Sequence, residues 1–204
     1  MKRICGIFLI LLGLTMLYGA YRLSRSNEAD AVIAEKVVLD VLPQMVEQIP
    51  KEPTTDAVAR SVIPVEYLEP EDLTMTEKTI DGYSYIGYLS MPTIGRELPI
   101  LADWDYDLLK KAPCRFTGTI RGNDLVLMAH NYRSHFGKLS ELRLGDRLSF
   151  TDMDGVVTVY EVVAKDILDP SAVEELTAGI YDLALFTCTY GGQSRVTVYC
   201  DKVG

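Results

Sequence analysis

Apolar and polar positions alternate in short runs along the C-terminal part of the chain, and those runs predict strands. They are Tyr83 to Ser90, Glu97 to Leu101, Asp124 to His130, Asp146 to Thr151, Val156 to Val163, Asp182 to Cys188 and Arg195 to Cys200. Turn-forming residues punctuate them: Pro92, Gly95, Gly122-Asn123, Asp154-Gly155 and Gly191-Gly192. Two stretches carry helical spacing, Asp105 to Lys111 and Ser171 to Ala178. In the second, Ser171 is placed to cap the helix, with Glu174 three residues on. Seven or eight strands at this spacing predict a mainly β domain over residues 80–204, a sandwich or a small closed barrel.

The N-terminal part reads differently. Ile4 to Tyr21 is an uncharged apolar run, and as a helix it measures about 27 Å, close to the hydrocarbon thickness of a bilayer. Lys2 and Arg3 precede it, and Arg22 and Arg25 follow. No convincing small-x-small cleavage site follows the run, so it reads as an uncleaved transmembrane signal-anchor. Residues 1–3 then form a cytoplasmic tail, and residue 22 onward lies outside the cell membrane. Residues 22–79 hold 6 basic and 12 acidic residues. Ala31 to Val46 has helical periodicity broken by Pro43, and Pro50, Pro53, Pro64 and Pro70 follow. This pattern predicts a partly extended acidic stalk between membrane and domain.

Charge and cysteine content narrow the function. Twenty Lys and Arg against 29 Asp and Glu leave a net charge of -9, and no basic face is available for nucleic acid. The chain has 4 cysteines without a CxxC pair, and its 2 histidines are not at zinc-finger spacing. Neither a disulfide scaffold nor a metal site is expected, and no cofactor is implied.

Chemistry concentrates near the C-terminus. Cys188 ends the apolar run Leu183-Ala184-Leu185-Phe186-Thr187-Cys188, and Arg195 opens Arg195-Val196-Thr197-Val198-Tyr199-Cys200. If the two pair as a hairpin with Cys188 opposite Arg195, then Leu183, Leu185, Val198 and Cys200 share an apolar core face. Cys188, Phe186, Ala184, Arg195, Thr197 and Tyr199 take the other. Slipping the register by one residue would separate thiol from guanidinium. A cation beside a thiol raises the thiolate fraction, and a guanidinium can also hold a developing oxyanion. The plain alternative is a buried cysteine beside a rim arginine. His130 weighs against that alternative, because it closes the apolar strand Leu125-Val126-Leu127-Met128-Ala129 and can serve as general acid and base. His135, in the polar loop that follows, is the competing histidine. Cys114 is expected at a strand start, and a Cys114–Cys200 bridge stays open at this level.

These residues resemble the motifs of sortases. Leu185-Phe186-Thr187-Cys188 is similar to the LxTC motif, and Arg195 stands at the arginine position seven residues on. His130-Asn131 with Phe136-Gly137-Lys138-Leu139 resembles the histidine segment, and Leu144-Gly145-Asp146 the GD turn. Ile86-Gly87-Tyr88-Leu89-Ser90-Met91-Pro92 and Leu98-Pro99-Ile100 are similar to the first two strands. The resemblance covers roughly residues 80–204. It implies a closed eight-stranded sortase β-barrel with short helices, and a cysteine transpeptidase that takes surface proteins with a C-terminal LPxTG-like sorting signal. It implies Cys188 as nucleophile, His130 as general acid and base, and Arg195 as oxyanion stabiliser. A thioester acyl-enzyme is then resolved by an amine of a cell-wall precursor. Ala129 stands where many sortases have glycine, and the stretch from Val163 to Asp182 is intermediate in length, leaving the sub-class B-like or D-like. No second hydrophobic run follows Cys200, which argues against the pilus-polymerising type. Two other readings share these residues: an L,D-transpeptidase, whose arginine follows the cysteine by two, and a non-catalytic membrane-tethered barrel that binds peptides.

Overall fold

A computed structural model describes residues 2–203 except 62, 68, 70–72 and 190, and their side chains except those of residues 2–11, 20, 23–27, 59–61 and 65. Helix α1 runs from Lys2 to Gln48 and the short α2 from Thr55 to Ser61. Nine strands follow among the described residues: β1 (Lys78–Ile80), β2 (Tyr83–Met91), β3 (Arg96–Leu101), β4 (Cys114–Thr117), β5 (Leu125–Ala129), β6 (Arg147–Asp152), β7 (Val157–Leu168), β8 (Leu183–Cys188) and β9 (Arg195–Lys202). A four-residue helix, α3 (Val173–Leu176), lies between β7 and β8.

The strand order is β1-β2-β3-β4-β5-β8-β9-β7-β6, and β6 pairs back onto β2. That pairing closes an eight-stranded barrel of β2 to β9, and closure removes the exposed sheet edges. The ninth strand, β1, extends the start of β2 through Ile80↔Tyr83. Gly87 permits the closure. A side chain there would lie 2.1 Å from the Thr151 carbonyl oxygen on β6, and its φ of +142° is open to glycine.

Inside the barrel, Ile86, Leu89, Leu98, Leu127, Leu185 and Val198 belong to one fully buried cluster. Leu183 and Cys200 belong to it as well, so the core face expected for the last hairpin is the one observed. The opposite face is also largely packed. Ala184, Phe186 and Tyr199 pack with Val126, Leu168 and Leu176 into a second apolar layer outside the barrel. Cys114 and Cys200 are both free and buried, which excludes the bridge between them.

The acidic segment, expected as a partly extended stalk, is helical as far as Gln48 and packs against the domain. Helix α1 continues across Pro43, and Ala34, Val41 and Met45 are buried. Their spacing forms one helical stripe. Val41 and Met45 pack with Ile80, Tyr85, Leu101 and Cys114. Gln44 Nε2 donates to Asp81, and Lys78 Nζ to the Gln48 carbonyl. Burial on both sides of Pro43 offsets a helix-interior proline cost of about 3 kcal/mol.

The helix expected over Asp105 to Lys111 is a set of turns, although Leu109 N does bond Asp105 O at 3.0 Å. The helix expected from Ser171 starts two residues later. Ser171 N and Oγ both donate to Asp169 Oδ1 instead of capping it. As for the membrane span, among the described residues no helix is long and apolar enough to cross a membrane. The side chains of residues 4–11, the first part of the expected span, lie outside those described.

Candidate active site

Three neighbouring strands end together. β8 and β9 are antiparallel, with Cys188 paired to Arg195, the register that the hydrophobic pattern favours. β5 and β8 are parallel, with Ala129 beside Thr187. His130 therefore leaves β5 at the level where Cys188 ends β8. Thr187 fastens that level, its Oγ1 donating to the Ala129 carbonyl at 2.8 Å from a buried position. Cys188, His130 and Arg195 are each half-buried, whereas Cys114 and Cys200 are fully enclosed.

Arg195 is held by the turn that precedes it. Its guanidinium donates to the carbonyls of Gly192 and Ser194, both at 3.3 Å. Thr189 closes the same turn, its amide donating to Ser194 O at 2.9 Å and its hydroxyl accepting from Ser194 N at 3.1 Å. Asp169, just beyond β7, lies in the field of Arg195. Its carboxyl is held below the usual range mainly by Ser171, with a smaller contribution from the guanidinium.

His130 stacks on Tyr132, ring centroids 4.8 Å apart and planes 27° from parallel. Burial pushes its titration down, the Asp30 carboxylate on α1 pulls it up, and Lys110 presses it down again. The sequence pattern did not point to Asp30 or Tyr132. A charged residue on a distant helix has no local signature, and a loop tyrosine reads as ordinary loop chemistry.

His135 does sit in the loop after β5, but it is completely buried. Its Nε2 lies 3.2 Å from the Lys111 carbonyl, a contact that needs the proton on that nitrogen. Its Nδ1 has no partner among the described residues. Burial is the main cause that lowers its titration to about 4, from 6.5. The folded value is the lower one, so the unfolded chain takes up the proton first. Stability is complete above about pH 6.5 and falls as the pH drops toward 4, by up to ~3 kcal/mol. Urea titrations at about pH 7 and pH 4.5 should show this loss, and His135→Gln should remove most of it. An unchanged acid sensitivity in the variant would contradict the assignment.

A cleft of about 550 Å³ opens between α1 and the loop after His130, lined by Glu35, Leu42, Arg96 and Arg133 among others. None of the three chemical residues lines it.

Residues 89–203 match the Sortase domain family over more than half of the chain. The chain belongs to the sortase family. Sortases are cysteine transpeptidases, and the L,D-transpeptidase and non-catalytic readings give way to that class. Among solved structures, this sortase is similar to sortase C1 of Streptococcus suis, with 27% identity and a TM-score of 0.52 over 59% of this chain and 73% of that one. It is similar to sortase C of Streptococcus pneumoniae, with 21% identity and a TM-score of 0.62 over 81% and 97%. A third is Clostridium perfringens sortase C solved with the C-terminal cell wall sorting motif, with 18% identity and a TM-score of 0.58 over 83% and 98%. Among curated proteins none matches. Identities of 18% and 21% carry the fold, and the sub-class stays unresolved between the B-like or D-like expectation and the sortase C names of these neighbours.

Proposed function

We propose that this sortase cleaves an LPxTG-like C-terminal sorting signal of surface proteins and joins the product to an amine of a cell-wall precursor. The observation that carries the reading is the meeting of three strand ends: Cys188 paired with Arg195, and His130 leaving the parallel neighbour at the same level. In the first half-reaction the Cys188 sulfur attacks the carbonyl carbon of the signal's threonine. An amide nitrogen cannot depart as a bare anion, so His130 gives it a proton as the C–N bond breaks. Arg195 stabilises the oxyanion, and a thioester remains on Cys188. In the second half-reaction the incoming amine attacks the thioester and gives its proton to His130, and the sulfur leaves as thiolate. The structure of the Clostridium perfringens enzyme with a sorting motif supports this substrate class.

The membrane anchor belongs to the same reading, with residues 4–21 as a single span and the catalytic domain outside the cell. Leu12, Leu14, Met16, Leu17, Tyr18 and Tyr21 are all exposed on α1, and such a surface suits lipid better than water. Full-length protein in detergent micelles, given an LPxTG-type peptide and a glycine amine, should release the peptide's C-terminal fragment and form the amide. A C-terminal epitope should also be open to protease on intact cells. No cleavage of any sorting peptide would remove the substrate assignment, and a protected epitope would remove the topology.

A further inference from the structure

The loop that carries His130 is wound on itself. Phe136 N donates to the His130 carbonyl at 3.2 Å, and the amides of His135 and Gly137 both donate to the Tyr132 carbonyl at 2.9 Å. Gly137 is required by the tightness of this winding. A side chain there would lie 2.6 Å from the carbonyl oxygens of both Asn131 and Tyr132. The centre of the loop is the enclosed His135, anchored to the Lys111 carbonyl. Tyr132 contacts the His135 ring at 5.5 Å and 41°, and it stacks on His130. The contacts thus run from the Lys111 backbone through His135 and Tyr132 to the His130 imidazole.

Among the described residues none hydrogen-bonds the His130 ring, so no carboxylate or carbonyl fixes its rotation. An imidazole just past a strand end is otherwise free to turn about its two side-chain torsions. Proton delivery tolerates little of that, since a misplacement of about 1 Å can cost on the order of 10²-fold in rate.

We propose that Tyr132, braced by the buried His135, is a positioning residue that holds the His130 ring in its proton-transfer orientation by stacking. The proposal rests on the reading of His130 as the general acid. It assigns the work to the flat face of the ring and none to the hydroxyl. Charges facing His130 come from two places: Asp30 on α1 and Lys110 in the turns before β4. Removing the ring of Tyr132 leaves those charges in place and admits water, so the His130 titration should rise toward its ordinary value.

The test uses full-length protein in detergent micelles with Tyr132→Phe, Tyr132→Leu and Tyr132→Ala. The His130 ring is followed by NMR across pH, and acylation by an LPxTG-type peptide is followed in the same samples. Tyr132→Phe should retain the wild-type titration and most of the rate. Tyr132→Leu, which keeps bulk but not the flat face, should lose at least ~10-fold in kcat with KM nearly unchanged, and its His130 titration should move up. Tyr132→Ala should do the same. Wild-type kcat and titration in Tyr132→Leu would overturn the proposal, as would Tyr132→Phe losing as much as Tyr132→Leu. If wild-type protein forms no acyl-enzyme, the functional reading fails by itself, and an unmoved titration in Tyr132→Leu then overturns the stack.

Discussion

Replacing Cys188 by alanine should abolish both peptide cleavage and amide formation and leave the fold intact. The thiol ends β8 at a half-buried position outside the barrel core, so its removal opens no internal cavity. The other described cysteines cannot substitute for it. Cys114 and Cys200 are enclosed, and burial is the main cause that drives their thiols up, Cys114 to about 12 and Cys200 further still. At neutral pH both stay protonated and out of reach of a peptide. Cys200→Ala is the matched control. It should keep activity and lose about 1 kcal/mol of stability, because it removes one small side chain from a packed site. Steady-state cleavage assays with thermal melts check both. Activity surviving in Cys188→Ala and lost in Cys200→Ala would overturn the nucleophile assignment.

Arg195→Lys should reduce turnover by ~10²-fold or more, a typical cost for one oxyanion donor. Lysine keeps the charge and loses the planar fork. The geometry makes the two contributions separable. Both carbonyls, of Gly192 and Ser194, are met by one terminal nitrogen, Nη1, which leaves the other N–H donors of the planar fork to aim at the substrate, whereas all three donors of an ammonium sit on a single nitrogen. If Arg195 acted only through its charge on the thiol, lysine would keep most of the activity. His130→Ala should lose acylation almost completely, since the leaving amine then has no acid. Single-turnover acylation rates separate these outcomes. Near-wild-type rates in Arg195→Lys and Arg195→Ala together would remove the arginine from the chemistry.

The last hairpin was legible because its two apolar stripes admit one register, and that register is the observed one. The barrel itself was legible as a count of strands more than as a closure. Pairing of β2 with β6 depends on a glycine-enabled close approach that no local pattern reveals. β4 was legible only at its start, Cys114; four residues and a single parallel pair, Leu101↔Cys114, give too short an alternation to read its extent. β7 runs to Leu168, five residues past the end expected at Val163, across a register shift between Val162 and Ala164. Such a shift moves the side chains to the other face and breaks the alternation that marks a strand. The packing of α1 was hidden by its acidity and by Pro43, although the stripe of Ala34, Val41 and Met45 was present in the sequence. The placing of Cys188, His130 and Arg195 at neighbouring strand ends could be read from the sequence. Asp30, Tyr132 and the burial of His135 could not, because each acquires its place through contacts between segments distant in the chain or through the winding of one loop.

The central claim is that Cys188 carries the acyl group, and intact-protein mass spectrometry tests it most directly. Full-length protein quenched in acid soon after mixing with an LPxTG-type peptide should gain the mass of the peptide's N-terminal acyl fragment. The adduct should map to the segment containing Cys188 and be released by hydroxylamine, as a thioester is. An adduct on another residue, or none while the peptide is being cleaved, would contradict the account.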